Sequence, residues 1–256
     1  MVPPEILHDQ HNRYLLQAKW TAENRRRLFL SANIHHASQV LEVGSGTSAI
    51  LHDIAEIESV KTFGIDIDSK AVGFAHSIDP KSRYVVGNGL QLPYRTGTFD
   101  ATICHFLLMW VSNPLTVIIE MRRVVKDGGV VLALAEPDYG GRIDFPEILE
   151  KFGHHQAEAL EAQGADTQMG RKLRMLFTQA GLENIHIGVL GGEWYGIPDE
   201  MTLQSEWKTL SDDLEGCLSK EQLHNYQELD RSAWQNGTRI LFVPTFYAIG
   251  WHKEGI

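Results

Sequence analysis

The stretch Val40-Leu41-Glu42-Val43-Gly44-Ser45-Gly46-Thr47-Ser48 runs from an apolar strand pattern straight into a glycine turn. Gln39 to Val43 reads as a strand, and Gly44 and Gly46 allow a sharp bend with no Cβ to hold a ligand off the backbone. A helix through Ile50, Leu51, Ile54 and Ala55 is expected next, its N-terminus offering unpaired N–H groups. A second strand, Lys61–Asp66, ends on Asp66, 20 residues beyond Gly46. A carboxylate at that strand end can accept both hydroxyls of a ribose lying across the carboxyl edge of a parallel sheet. Together these features imply a bound nucleoside. Gly44, Gly46 and Ala49 also fit the dinucleotide fingerprint, so the glycines alone leave a nicotinamide cofactor open. Glu42, two residues before the turn, would repel a pyrophosphate and favours a cationic ligand.

Working outward, residues 5–37 read as N-terminal helices with an interruption, and Ser69 caps a helix carrying Ala71, Val72 and Ala75. Further strands are expected at Arg83–Val86, Phe99–Phe106 and Val130–Ala135. A helix over Leu115–Val125 closes at the turn Lys126-Asp127-Gly128-Gly129. Strands with continuous apolar runs, alternating with helices, imply a parallel sheet covered on both faces. Beyond Glu136, helices are expected over Pro146–Gln163 and Met169–Ala180, then a sixth strand over Glu183–Leu190. The polar helical stretch from Pro198 to about Asn236 marks a lid over about residues 196–237, followed by a last strand, Ile240–Trp251. Pro244 inside that strand predicts an edge position or a bulge. The expectation is one α/β domain over residues 1–256: a Rossmann-like, doubly wound, seven-stranded, mostly parallel sheet with an antiparallel last strand and a small helical lid. Its cofactor-binding core spans residues 38–136.

Composition narrows the partners. The chain of 256 residues has 23 Lys and Arg against 33 Asp and Glu, a net charge of −10, and no basic tract longer than Arg25-Arg26-Arg27. An acidic surface repels phosphate backbones, so small molecules rather than nucleic acid are the expected partners, with the protein a monomer or homodimer. Two distant cysteines, Cys104 and Cys217, build neither a disulfide framework nor a thiolate zinc site. No secretory pattern and no apolar run of membrane-spanning length occurs, so a cytoplasmic protein is expected. The pairs His8/His11 and His154/His155 read as structural or solvated histidines, and no metal is expected. The aromatic residues Trp194, Tyr195, Trp207, Trp234 and Phe246 read chiefly as core, although some could line a lid suited to a flat acceptor.

From Val40 to Glu136 the chain resembles the class I S-adenosylmethionine-dependent methyltransferases, in particular the ubiquinone/menaquinone-biosynthesis-like branch. Glu42-Val43-Gly44-Ser45-Gly46-Thr47 resembles the family's first motif, Gly64-Ile65-Asp66-Ile67 the second-strand acid, and Phe99-Asp100-Ala101-Thr102-Ile103-Cys104-His105 the fourth strand. Val86-Gly87-Asn88-Gly89-Leu90-Gln91-Leu92-Pro93-Tyr94 is similar to the family's G-D-A-x-x-L-P-F loop, and Arg122 to Gly129 to its L-K-P-G-G helix end. The late strands resemble the family's antiparallel sixth and seventh strands. The resemblance implies S-adenosylmethionine as cofactor, with Gly44, Ser45 and Gly46 along its methionine part, Asp66 on the ribose, Ile67 and Leu90 flanking the adenine, and Gly89 among the cofactor-binding residues. Asn88 stands where the family commonly has an Asp, and its carbonyl oxygen can still accept from the adenine amino group. Ser48 stands for the usual third glycine, and His105 would face cofactor and acceptor.

The implied activity is methyl transfer to a small-molecule oxygen, nitrogen or carbon. The alternatives are a nicotinamide-dependent oxidoreductase and a non-catalytic S-adenosylmethionine-binding module. Displacement at a methyl carbon needs mainly alignment, and a base only where the acceptor carries a proton. Candidates to orient or deprotonate the acceptor are His105 and, after the fifth strand, Glu136, Asp138 and Tyr139. Tyr14, Gln17 and Trp20 share roughly one helical face, and Tyr14, Trp20 and Arg13 are candidate cofactor contacts on a segment that folds over the cofactor in related enzymes.

Overall fold

A computed structural model describes residues 4–37, 39–55, 59–191 and 196–253. The strands in chain order are β1 (Gln39–Val43), β2 (Lys61–Asp66), β3 (Arg83–Val86), β4 (Phe99–Cys104), β5 (Val125–Pro137), β6 (Ile143–Phe145), β7 (Glu183–Leu190), β8 (Ile240–Phe242) and β9 (Thr245–Trp251). The helices are α1 (Pro4–Ser31), α2 (Leu51–Ala55), α3 (Ser69–Ile78), α4 (Pro114–Val124), α5 (Glu150–Ala162), α6 (Met169–Gln179), α7 (Glu200–Asp213) and α8 (Lys220–Gln235). Seven strands form one sheet in the order β3-β2-β1-β4-β5-β9-β7. The order reverses at β1, so the carboxyl ends of β1 and β4 open the crevice where such sheets bind ligands.

Alternation along each strand builds two cores. Leu41, Cys104, Val131 and Ala133 pack to one face with Val117, Ile118 and Met121 of α4 and Leu173 and Phe177 of α6. Their neighbours Val40, Ile103, Leu132 and Leu134 point the other way, onto Ala18 and Leu28 of α1. Strands buried on both faces need the uninterrupted apolar runs seen here.

The structure departs from the sequence reading in several places. The helix α1 runs from Pro4 to Ser31 without the expected interruption, because it contains no Gly and its sole Pro sits at the start. The expected helix start directly after the glycines is delayed: Thr47 to Ile50 form turns, Ser48 takes φ 69°, and α2 begins at Leu51. The fifth strand is longer than Val130–Ala135, so Glu136 lies within β5. Within the seven-stranded sheet only the last strand is antiparallel. It pairs antiparallel with both β5 and β7, so β7, expected to be antiparallel as well, runs with the parallel set.

The expected strand Ile240–Trp251 is two strands, β8 and β9, broken at Val243-Pro244. Proline lacks the N–H a ladder needs, and it lies at the break rather than within an edge strand. The first piece pairs with β6, which the sequence did not suggest, in a separate two-stranded sheet. The second lies inside the main sheet, not at its edge. Between β7 and β8 the polar helical stretch is also two helices, α7 and α8. Asp199 accepts from Thr202 N–H to start α7, and Ser219 and Gln222 close a capping box that starts α8.

Candidate active site

At the carboxyl edge of β1, the loop backbone is fastened to the neighbouring strand. The N–H groups of Gly44 and Ser45 both donate to the Ile65 carbonyl, at 2.8 and 3.1 Å, and Ser48 N–H donates to the Ser45 carbonyl at 2.8 Å. Gly46 N–H donates to Asp66 Oδ2 at 2.7 Å. Two of these positions require glycine. Gly44 has φ 74° and Gly46 φ 48°, and a Cβ on Gly44 would lie 2.6 Å from Leu107 Cδ1. Ser48 is locked beneath the loop, its hydroxyl bonded to Tyr84 and 3.4 Å from Asp79 Oδ2. Phosphate-binding loops present free N–H groups to the anion, whereas four N–H groups of this loop are already committed inside the protein.

The loop bounds a cavity of about 310 Å³. Tyr14, Glu42, Gly44, Ser45, Gly46, Asp66 and His105, all expected near the cofactor, line it together, and so does Tyr139. Its charged lining is Glu42, Asp66 and Asp213 against Arg13 alone, which suits a cation. Two lining residues, Ser45 and Arg13, each have a buried side-chain atom, Oγ and Nε, with no hydrogen-bond partner among the described residues. Two positive-φ glycines at the bend and an acid at the β2 end fit S-adenosylmethionine. From α1, Tyr14 reaches over the loop, its ring 3.6 Å from the position of a Cβ on Gly46, and Gln10 Nε2 donates to its hydroxyl at 2.7 Å.

Other expected residues lie elsewhere. Ile67 is 72% exposed and, like Asn88, Gly89 and Leu90, is not part of this cavity's wall. The side-chain oxygen of Asn88 accepts from Leu90 N–H at 2.9 Å, so one of its two lone pairs is committed to the turn. The side chain of Trp20 and the residues Trp194 and Tyr195 lie outside the described residues. His8 and His11 pack against Phe74, with ring centroids 4.9 and 5.2 Å apart, and His11 Nδ1 lies 2.9 Å from Thr47 Oγ1. Among the described residues no group of three His, Cys, Asp or Glu is placed to hold a metal ion.

Of the four residues considered for acid–base work, two are committed to structure. The Glu136 carboxylate accepts from Leu107, Leu108 and Met109 N–H at 2.9–3.2 Å, which fixes the loop after β4. Burial pushes its carboxyl up to about 7, against those three donors. Asp138 holds Arg171 through both oxygens. Neither lines a cavity described here. His105 does, with Nε2 3.2 Å from Thr21 Oγ1, but burial and the Arg25 charge depress it to about 3. It is a neutral imidazole at physiological pH and too weak a base to take a proton there. Tyr139 faces the cavity with its phenol pushed up to about 12, chiefly by burial, and stays protonated.

A second cavity of about 410 Å³ adjoins the first. Arg13, Gln17, Phe106, Tyr139, Gln156 and Thr209 line both. Beyond them the second chamber is walled by Leu16, Phe152, Trp207, Leu210, Leu241 and Val243. A buried polar network backs it. Asp144 accepts from Arg142 Nε and, at 2.8 Å, from Arg239 Nη2, while Asp230 accepts from Arg239 Nε at 2.6 Å and Trp207 Nε1 at 2.9 Å. Sequence reasoning did not single out Gln156, Asp213, Glu206 or this network. Its members come from β6, α5, α7, α8 and the segment before β8, and no local spacing links them.

The matches to known proteins agree with this geometry. A family of methyltransferase domains matches residues 41–133. The demethylmenaquinone methyltransferase of Lysinibacillus sphaericus is 32% identical, over 58% of this chain and 71% of the relative. That of Bacillus subtilis is 29% identical, over 65% and 78%. Among solved structures, the YcgJ protein of Bacillus subtilis superposes with a TM-score of 0.56 at 18% identity, covering 89% of this chain and 97% of that one. A phosphoethanolamine N-methyltransferase of Haemonchus contortus, in complex with S-adenosylmethionine, gives 0.56 at 12% identity, over 85% and 49%. The chain belongs to the class I S-adenosylmethionine-dependent methyltransferases, and S-adenosylmethionine is its cofactor. The family sets aside the nicotinamide reading that the glycine spacing left open.

Proposed function

We propose that the first cavity holds S-adenosylmethionine, that the second holds an apolar small-molecule acceptor, and that the methyl group passes between them beneath Tyr139 and Phe106. The observation that carries this reading is the shared wall: six residues border both cavities, one acidic and glycine-lined, the other mostly apolar. Bound there, the cofactor supplies a methyl group made electrophilic by its sulfonium. The residues of the chain align and desolvate the partners. Asp66 takes the ribose hydroxyls, Glu42 lends negative charge near the glycine turn, and Ser45 and Gly44 border the methionine part. Arg13 and Tyr14 hold the cofactor carboxylate from α1. Ile67, Gly89 and Leu90 meet the adenine at the rim, and Asn88 offers its second lone pair to the amino group.

The relatives that methylate demethylmenaquinone favour a flat acceptor, as does the aromatic wall of Phe106, Tyr139, Phe152 and Trp207. Two free thiols, with Cys104 buried and Cys217 exposed, support a reducing, cytoplasmic setting, and among the described residues no helix is long and apolar enough to cross a membrane. A monomer or homodimer acting on a small molecule rather than nucleic acid fits the net charge of −10. The test is calorimetric titration with S-adenosylhomocysteine. Asp66→Ala is expected to weaken binding roughly 10- to 100-fold, the loss of charge-assisted hydrogen bonds to the sugar. Unchanged affinity overturns the ribose assignment.

A further inference from the structure

The second chamber contains a carboxyl group that the wall does not use. Glu206, on α7, lines the chamber and makes no hydrogen bond or ion pair with any described residue. More than a third of its surface is open, and it is among the residues lining the chamber. The other carboxylate of the lining, Asp230, is committed to Trp207 and Arg239. Thr209, one residue triad further along α7, borders both cavities, and positions three apart on a helix have Cβ atoms about 5–6 Å apart. Glu206 therefore stands within one helical turn of the boundary between the chambers.

We propose that Glu206 is the proton acceptor of the second chamber, holding a hydroxyl on a flat, apolar acceptor and taking its proton as the methyl group is transferred. This rests on the assignment of that chamber to the acceptor. The hydrogen bonding around Glu206 suits a neutral hydroxyl donor. Of the cations lining the chamber, Arg142 and Arg239 are paired with Asp144 and Asp230. Arg142 and Arg239 are saturated by Asp144, Gln156 and Asp230, which leaves Glu206 the free hydrogen-bond acceptor among the lining carboxylates. The aryl ring has Phe152 and Trp207 to pack on, themselves 5.0 Å apart between centroids at 30°.

In the step, the hydroxyl oxygen forms its bond to the methyl carbon as the carbon–sulfur bond breaks, with that bond's electron pair remaining on sulfur. The hydroxyl proton goes to the Glu206 carboxylate, which returns it to water after product leaves. The acceptor ends as a methyl ether, the sulfonium as a neutral thioether, and Glu206 unchanged. The enclosing chamber wall, reinforced by Asp230 and offset by Arg239, pushes the Glu206 carboxyl up to about 7 although part of the residue reaches solvent, so its proton affinity suits exchange near neutral pH.

The test uses the full chain saturated with S-adenosylhomocysteine and two probes, 4-methylphenol and 4-methylanisole, which differ by the hydroxyl proton and are both neutral at pH 8. By calorimetry at pH 8, the wild type is expected to prefer the phenol by roughly tenfold, the worth of one hydrogen bond to a carboxylate. Glu206→Gln should remove most of that preference without changing anisole affinity, and Glu206→Asp should restore part of it. Lowering the pH through about 7 should erode the wild-type preference as the carboxylate is protonated. An equal phenol preference in wild type and Glu206→Gln overturns the role of Glu206. Leu210→Trp, which fills the chamber, separates that failure from a failure of the chamber itself. If it leaves both probes bound, or if the wild type binds neither, the acceptor-chamber assignment falls. Retained S-adenosylhomocysteine binding in each variant shows that the chain has folded.

Discussion

Asp66, proposed to take the ribose hydroxyls, is held by backbone on both oxygens. Its Oδ2 accepts from Gly46 N–H and its Oδ1 from Asp68 N–H at 2.9 Å, so a sugar bound there would meet a carboxylate already oriented. Pre-orientation of this kind lowers the ordering cost of binding. His105 gives a sharper prediction. Its folded value of about 3 lies below its ordinary 6.5, so protons favour the unfolded chain once the pH falls under 6.5. Nitrogen NMR should find its imidazole neutral at pH 5, and stability attributable to it should be lost progressively as the pH falls toward 3. A protonated ring at pH 5.5 would contradict the burial argument. Replacing Gly44 with Ala combines a positive φ with a Cβ 2.6 Å from Leu107, so both melting temperature and S-adenosylhomocysteine affinity should fall.

At the scale of elements, the lid depends on its polar backing. The side chains of Asp144 and Arg239 are each 2% exposed and joined at 2.8 Å, tying β6 to the segment before β8. Removing the acid in Asp144→Ala leaves two buried guanidinium groups short of a partner, a loss of about 3–5 kcal/mol that thermal unfolding would register. A cost under about 1 kcal/mol, the range of surface pairs, would show that water compensates the charges. The capping box at α8 is a milder case: Ser219→Ala should cost about 1 kcal/mol. The lid also carries the pH dependence. Because the folded value of Glu206, about 7, lies above its ordinary 4.5, the folded protein binds the extra proton between those values. Its contribution is therefore largest below pH 4.5 and declines as the pH rises through 7, and Glu206→Gln should flatten the slope in that window.

Across the whole molecule, α1 and α7 close the two chambers together. Arg13, Tyr14 and Gln17 of α1 and Thr209 and Asp213 of α7 all border the first cavity, and Lys208 on α7 pairs with Asp9 on α1 at 2.5 Å. Binding of S-adenosylhomocysteine should accordingly slow hydrogen exchange in α1 and α7 as well as around Gly44–Gly46. Protection confined to the glycine loop would mean that these helices do not participate. The apolar runs of β1, β4 and β5 were legible as a doubly covered sheet because burial on both faces demands them. The polar lid was legible only in outline. Its break between α7 and α8 rests on the cap at Ser219, and the split at Pro244 rests on which partner each half of the strand meets.

By itself the sequence determined the local features on which the proposed donor half of the site rests. The glycine bend after β1, the acid ending β2 and the carboxylate at Glu42 are local features, each set by backbone conformation or by position along one strand. Only the tertiary structure decided the second chamber, because Arg13, Gln156, Glu206 and Arg239 stand far apart in the chain and meet through helix packing. It also decided which acids are available: Glu136 and Asp138 lie on the ligand edge, as read, but their oxygens are taken by backbone N–H groups and by Arg171. A carboxylate is free to act on a ligand only where the fold leaves its lone pairs without a donor, and chain order carries no record of that.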